Sequence, residues 1–366
     1  MAENTPKIHK GLKIKSWVIP VPIVQAGMGV GVSLASLAAA TANEGCVGTI
    51  SSAGLDLSVS QREGRKVDHY EAMRLEVAMA RRLSPNGIIA VNIMWALQKS
   101  YADSVRGAID AGANIIFSGA GLPTGLPGIQ DPGETALVPI VSSARALEIM
   151  CQKWARLNYC PDAVVLEGPK AGGHLGFKPE EIDDPKFSLE NLFPAVKEVA
   201  IKYGDFPVIV AGGIWDRDDI LHFLALGASG VQMGTRFMAT FESGASDAYK
   251  QAVIEVKKED IIVATNLQSP CLMPFRVIKQ APMYQLGNLS PCDKGHVMQK
   301  DLATGTLTKC LAKENPDKYF CICNGLFNAA GCQNNPSQNL YTVGTNAYRV
   351  TEIVTAKSVI DEIRPW

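Results

Sequence analysis

Eight short apolar runs alternate with amphipathic segments, and glycine and polar residues gather where those runs end; together these predict a (β/α)8 TIM barrel with a C-terminal extension packed on it. The chain has 366 residues, a length that one α/β barrel reaches as a single unit. In order, the runs are PIVQAGM (22–28), VGTISSA (47–53), GIIAVNIM (87–94), NIIFSGAG (114–121), LVPIVSS (137–143), AVVLEGP (163–169), PVIVAGGI (207–214) and GVQMGTRF (230–237). Most are continuously apolar rather than alternating, as strands covered on both faces are. Between them, SLASLAAATANEG, DHYEAMRLEVAMARRL, SYADSVRGAIDAGA, SARALEIMCQKWARLN and DRDDILHFLALGA place apolar residues at helical spacing. An open doubly wound sheet alternates in the same way, but eight units with chemistry at so many strand ends favour closure. Residues 1–260 are read as the barrel and 261–366 as the extension, which is rich in turn residues and ends in a helix, TEIVTAKSVIDEI.

Composition narrows the function classes. With 47% hydrophobic and 19% charged residues and a net charge of -1, the chain has no field to attract nucleic acid or an anionic membrane. No apolar run is long enough to span a bilayer, and the stretch MAENTPKIHKGLKIKSWVIP lacks the features of a secretory signal. Of nine cysteines, Cys46, Cys151, Cys160 and Cys271 are scattered, unlike a disulfide framework, so a reducing cytosol is expected. Cys292, Cys310, Cys321, Cys323 and Cys332 crowd together and need a separate account. A homodimer is the base-rate expectation.

In such a barrel the chemistry lies at the C-terminal ends of the strands. The seventh run ends in Ala211, Gly212, Gly213 and Ile214, and the eighth carries Gln232, Met233, Gly234, Thr235 and Arg236. Glycines let backbone amides crowd around an anion, and a following helix N-terminus adds partial positive charge. Either glycine pair alone is an ordinary tight turn; their pairing on the last two strands is the barrel phosphate position. The first run ends QAGMGVG (25–31), where small residues leave backbone open to a flat ring. Asn92, Ser118 and Glu167 add polar groups at other strand ends, although each taken singly is also an ordinary cap or turn residue. A phosphate plus a flat, polar-edged ring points to FMN. Beyond the sixth run, EGPKAGGHLGF puts His174 after Gly172 and Gly173 at the barrel mouth, where an imidazole can move a proton beside a flavin. His9, His69, His222 and His296 lack that setting and are read as structural or surface residues.

The pieces QAGMGVG, VNIM (91–94), SGAG (118–121), EGPKAGGHLGF (167–177), VIVAGGIWDRDDI (208–220) and GASGVQMGTRF (227–237) resemble, in order and spacing, the nitronate monooxygenase (2-nitropropane dioxygenase-like) and enoyl-ACP reductase II family of FMN barrels. The resemblance implies FMN against Ala26, Gly27, Met28, Asn92, Gly172, Gly173, Gly212, Gly213, Gln232, Gly234 and Thr235, with Glu167, Ala211 and Met233 among the same cofactor-binding candidates, and His174 as the catalytic residue. GAGLPTGLP, PIVSSARALEIMCQKWARL and LYTVGTNAYRV look most like a branch containing an acyl-ACP dehydrogenase/isomerase with FMN and a [4Fe–4S] cluster. Cys310 and Cys321 fall on that branch's cysteine pattern, but Glu314 stands where another is expected and none directly precedes Cys310. Two readings stay open: an iron–sulfur or metal site from Cys292, Cys310, Cys321 and Cys323, or thiols packing as small apolar groups.

The resemblance implies redox chemistry on a small-molecule or acyl-carrier-linked substrate. One form is reduction of a 2-enoyl thioester or the reverse dehydrogenation with isomerisation; the alternative is oxidation of alkyl nitronates with O2. A non-enzymatic FMN or phosphate-ligand binding protein is the reading from another class. Pro123, Thr124, Leu126 and Pro127, with Leu272, Met273, Pro274 and Phe275, are candidate walls of an acyl tunnel. There is no dinucleotide GxGxxG with its acidic partner, but a nicotinamide can still dock transiently over a flavin, so NAD(P)H as reductant stays open.

Overall fold

All eight runs fold as parallel strands that close on themselves. In the computed structural model, which describes residues 11–264, 273–282, 322–332 and 335–366, they are β1 (Ile23–Gln25), β2 (Val47–Ser51), β3 (Ile88–Met94), β4 (Ile115–Gly119), β5 (Ala136–Val141), β6 (Val164–Glu167), β7 (Val208–Ala211) and β8 (Gly230–Met233). Each pairs with its neighbours in chain order, and β8 returns to β1 through Val231↔Ile23, Gln232↔Val24 and Met233↔Gln25. The β1–β2 seam has only the pair Val24↔Val47. There the buried Gln25 spans the gap: its Oε1 accepts from Thr49 N at 2.9 Å and its Nε2 donates to Ser33 Oγ at 2.9 Å. A buried amide satisfied on both sides replaces the missing ladder bonds.

Side chains alternate between the two faces of each strand. Val47, Ile115, Phe117, Val138, Val165 and Ile209 fill the interior. Leu12, Ile14 and Ile19, from an antiparallel hairpin (Leu12–Ile14 with Trp17–Ile19), join the same cluster and plug the N-terminal end, with Trp17 Nε1 donating to Glu134 O at 3.1 Å. Two residues beyond Ala90, Val165 and Gly230 on that inward face stand Asn92, Glu167 and Gln232, so the apolar plug gives way to a polar layer at the C-terminal mouth.

The outward faces pack on a ring of helices. The last helix, Ala356–Ile363, belongs to that ring: Ala356, Val359, Ile360 and Ile363 are buried in the main core, and the helix packs against Ala35–Asn43 and Arg217–Ala225. It starts later than the apolar pattern begins because Thr355 caps it, accepting from Ser358 N at 3.0 Å. Other described parts of the extension reach the mouth. Ile261–Ala264, Phe275–Ile278 and Gly173–His174 form an antiparallel sheet in which Phe275 faces His174 and Arg276 faces Gly173. Among the described residues, no helix is long and apolar enough to cross a membrane.

Ile360→Ala should therefore destabilise the whole barrel, by about 2–5 kcal/mol, in a single urea transition. A separate early transition, with the barrel unaffected, would mean that the terminal helix is only appended.

Candidate active site

The polar layer opens into one cavity of about 560 Å³. Its lining includes His174 and every cofactor-binding candidate: Ala26, Gly27, Met28, Asn92, Glu167, Gly172, Gly173, Ala211, Gly212, Gly213, Gln232, Met233, Gly234 and Thr235.

One end is built for an anion. Gly212 and Gly213 have φ of +100° and +86°, a region that penalises side chains. A Cβ on Gly212 would lie 2.8 Å from Gly168 O, and one on Gly213 would lie 2.8 Å from Lys170 Cβ. Among the described residues, the N–H groups of Gly212, Gly213 and Gly234 find no acceptor. Lys170 lies against Gly213, lines the cavity and makes no ion pair among the described residues. A strap from the extension completes this end. Asn346 Nδ2 donates to Gly213 O at 2.7 Å, Gly344 N to Thr235 Oγ1 at 3.1 Å, and Thr345 N to Lys170 O at 3.3 Å. The buried Tyr249, its hydroxyl pushed up to about 12 by burial, accepts from Thr342 N at 2.9 Å and anchors the strap's start.

His174 is held through its loop. Arg276, buried beneath it, donates from Nη1 to Pro169 O at 2.9 Å and also to Ala171 O; burial pushes this guanidinium down to about 10. A Cβ on Gly172 would lie 2.6 Å from the carbonyl carbon of Val343, so only glycine lets the strap cross there. The His174 ring packs 5.9 Å from that of Phe275. At the foot of the loop stands Glu167, whose carboxyl is pushed up to about 7 by burial, against a smaller opposing effect of His174.

The nitronate monooxygenase family model matches residues 10–365. The chain belongs to the nitronate monooxygenase family. A probable nitronate monooxygenase of Staphylococcus saprophyticus is 27% identical over 325 residues, 82% of this chain and 86% of that protein. FabK from Thermotoga maritima superposes with a TM-score of 0.67 at 24% identity, over 96% of this chain and 92% of that one. The nitroalkane oxidase from Streptomyces ansochromogenes gives 0.67 at 20% identity, over 94% and 95%. These two structures share the fold. Membership of the nitronate monooxygenase family makes this protein an oxidoreductase, and FMN is the cofactor expected of the family. The residues present fit that group: N–H donors without acceptors among the described residues, beside a lysine, suit its phosphate, and Asn92 and Gln232, whose side chains have no hydrogen-bond partner among the described residues, suit its polar-edged ring.

The structure of this nitronate monooxygenase family member also departs from the sequence expectations. Gly27 lines the cavity, and its lack of a side chain also makes room for Asn92, since a Cβ there would lie 2.2 Å from Asn92 Cβ. Ser118 does not reach the cavity: Phe117 takes the inward position, so Ser118 points to the helix layer, where its Oγ donates to Ile93 O at 2.9 Å and lies 2.7 Å from Tyr101 Oη. Pro123, Thr124, Leu126 and Pro127 do not line the cavity either; Leu126 is buried in the barrel–helix core and Pro123 O accepts from Trp154 Nε1 at 3.0 Å. Met273 lines it, Pro274 and Phe275 do not, and Leu272 lies outside the described residues. His69, expected to be structural or on the surface, lines the cavity with Nδ1 3.4 Å from Asp56 Oδ1. Of the candidate thiolates, Cys323 lines the cavity, while Cys292, Cys310 and Cys321 lie outside the described residues.

Glu167 yields a pH prediction. Below its ordinary value of 4.5 the carboxyl is protonated in both states and costs nothing; between there and about 7 the unfolded chain releases a proton that the folded one keeps, so stability falls as pH rises. Above about pH 7 the flavin-free Glu167→Gln protein should be more stable than the wild type by up to about 3 kcal/mol, and at pH 4 the two should match. Denaturant titrations at both pH values check this; a constant difference would refute the buried-carboxyl account.

Proposed function

We propose that this protein is an FMN-dependent oxidoreductase acting on acyl thioesters, by enoyl reduction or by acyl dehydrogenation with isomerisation, with His174 as its acid/base. The observation that carries the substrate class is the apolar part of the cavity lining contributed from outside the loops after β7 and β8, namely Met94, Leu97, Leu122, Met273, Leu326 and Phe327. A hydrocarbon chain needs such a wall. When bound, FMN supplies hydride exchange at the substrate's β-carbon. Gly212, Gly213, Gly234 and Lys170 hold its phosphate, and Asn92 and Gln232 its ring edge. His174 takes the α-proton in dehydrogenation and returns one in reduction. Glu167, poised near neutrality by burial, responds electrostatically to the charge on His174. Arg276 is a positioning residue that keeps His174 over the mouth. In the reductive direction NAD(P)H supplies the electrons. The second reading, oxidation of alkyl nitronates with O2, is favoured by the family's name and by the staphylococcal relative.

Anaerobic stopped-flow separates the readings. Mixing the holoenzyme in turn with a saturated acyl thioester, NAD(P)H and an alkyl nitronate should bleach the flavin with the thioester or NAD(P)H; bleaching by nitronate alone would decide for the second reading. Lys170→Gln should weaken FMN binding about 10-fold in a fluorescence titration, about 1.4 kcal/mol. An unchanged dissociation constant would remove Lys170 from the phosphate site.

A further inference from the structure

The mouth carries a second carboxylate and imidazole that the reaction above does not use. Asp56 lies in the first turn of the helix Leu55–Glu63 and His69 opens the helix His69–Leu83, both following β2. Both line the cavity that holds His174, with side chains only 20% and 30% exposed. His174 follows β6. In a closed ring of eight strands, β2 and β6 are opposite, so the pair faces His174 across the mouth. Asp56 Oδ1 is 3.4 Å from His69 Nδ1, which favours the tautomer with the proton on Nδ1. The lone pair of Nε2 is then left for the cavity, as an acceptor for an N–H or O–H donor. The reacting carbons belong beside His174, so a group reaching His69 lies several atoms along the substrate. Resting on the acyl-thioester reading, we propose that Asp56 and His69 form a binding site for the thiol-bearing arm of the substrate, with His69 Nε2 accepting a hydrogen bond from an amide N–H of a pantetheine-type chain. A nitronate has no such arm.

The test uses holoenzyme and two thioesters of the same acyl group, one on pantetheine and one on ethanethiol, which has no amide. His69→Ala should raise KM for the pantetheine thioester about 10-fold, leave kcat within about 2-fold, and leave KM for the ethanethiol thioester and the bound-flavin spectrum unchanged. Asp56→Asn should show the same selectivity to a smaller extent, because it loosens the tautomer without removing the acceptor. Equal KM changes for both thioesters, or none for either, overturn the arm site while leaving the thioester reading intact. If neither thioester bleaches the wild-type flavin, both fall.

Discussion

The buried guanidinium of Arg276 carries much of the site's geometry. By donating to the carbonyls of Pro169 and Ala171 it fixes the loop between β6 and His174, while its own backbone pairs with Gly173. From that one contact follow the position of the imidazole, the placement of Lys170 against Gly213, and the carbonyl of Lys170 on which the strap docks. A buried charge is costly without partners, and here two carbonyl groups supply them. The extension thus builds the site as well as covering it, because Phe275, Arg276 and Val343 each set a part of the sixth loop from outside the barrel.

The barrel itself separates stability from chemistry along one axis. Alternation puts apolar side chains on the inner face at the N-terminal end and, two residues later, Asn92, Glu167 and Gln232 at the mouth. The interior from the hairpin plug to Phe117 is packed. Above it, the Asn92 and Gln232 amides and the Glu167 carboxyl have no side-chain hydrogen-bond partner among the described residues, which suits them to a polar ligand. Glu167 shows the cost most directly, its carboxyl displaced to about 7 by the burial that brings it beside His174.

The eight strands were legible because continuous apolar runs bounded by turn residues have few other interpretations at this length. Less visible was the helix Leu189–Lys202, whose Pro194 reads as a breaker although the helix runs through it. That the strand-end glycines and His174 share one cavity was legible because they sit in contiguous motifs at strand ends. Residue parity was the weak point: Ser118 sits one position away from the inward face and therefore serves the helix layer. His69 was missed for a different reason, since its partner Asp56 and the cavity both come from tertiary packing that no local pattern announces. The strap Thr342–Asn346 was visible only as a resemblance, because the hydrogen bonds that anchor it run to residues more than sixty positions away.

The account turns on His174 moving a proton at the carbon next to an acyl thioester. Incubating holoenzyme anaerobically in D2O with a saturated acyl thioester and following the α-carbon by NMR measures that step without an electron acceptor. The account predicts deuterium at Cα with the wild-type protein and none above background with His174→Ala, although that variant retains its FMN. Equal α-deuteration by both proteins would contradict it.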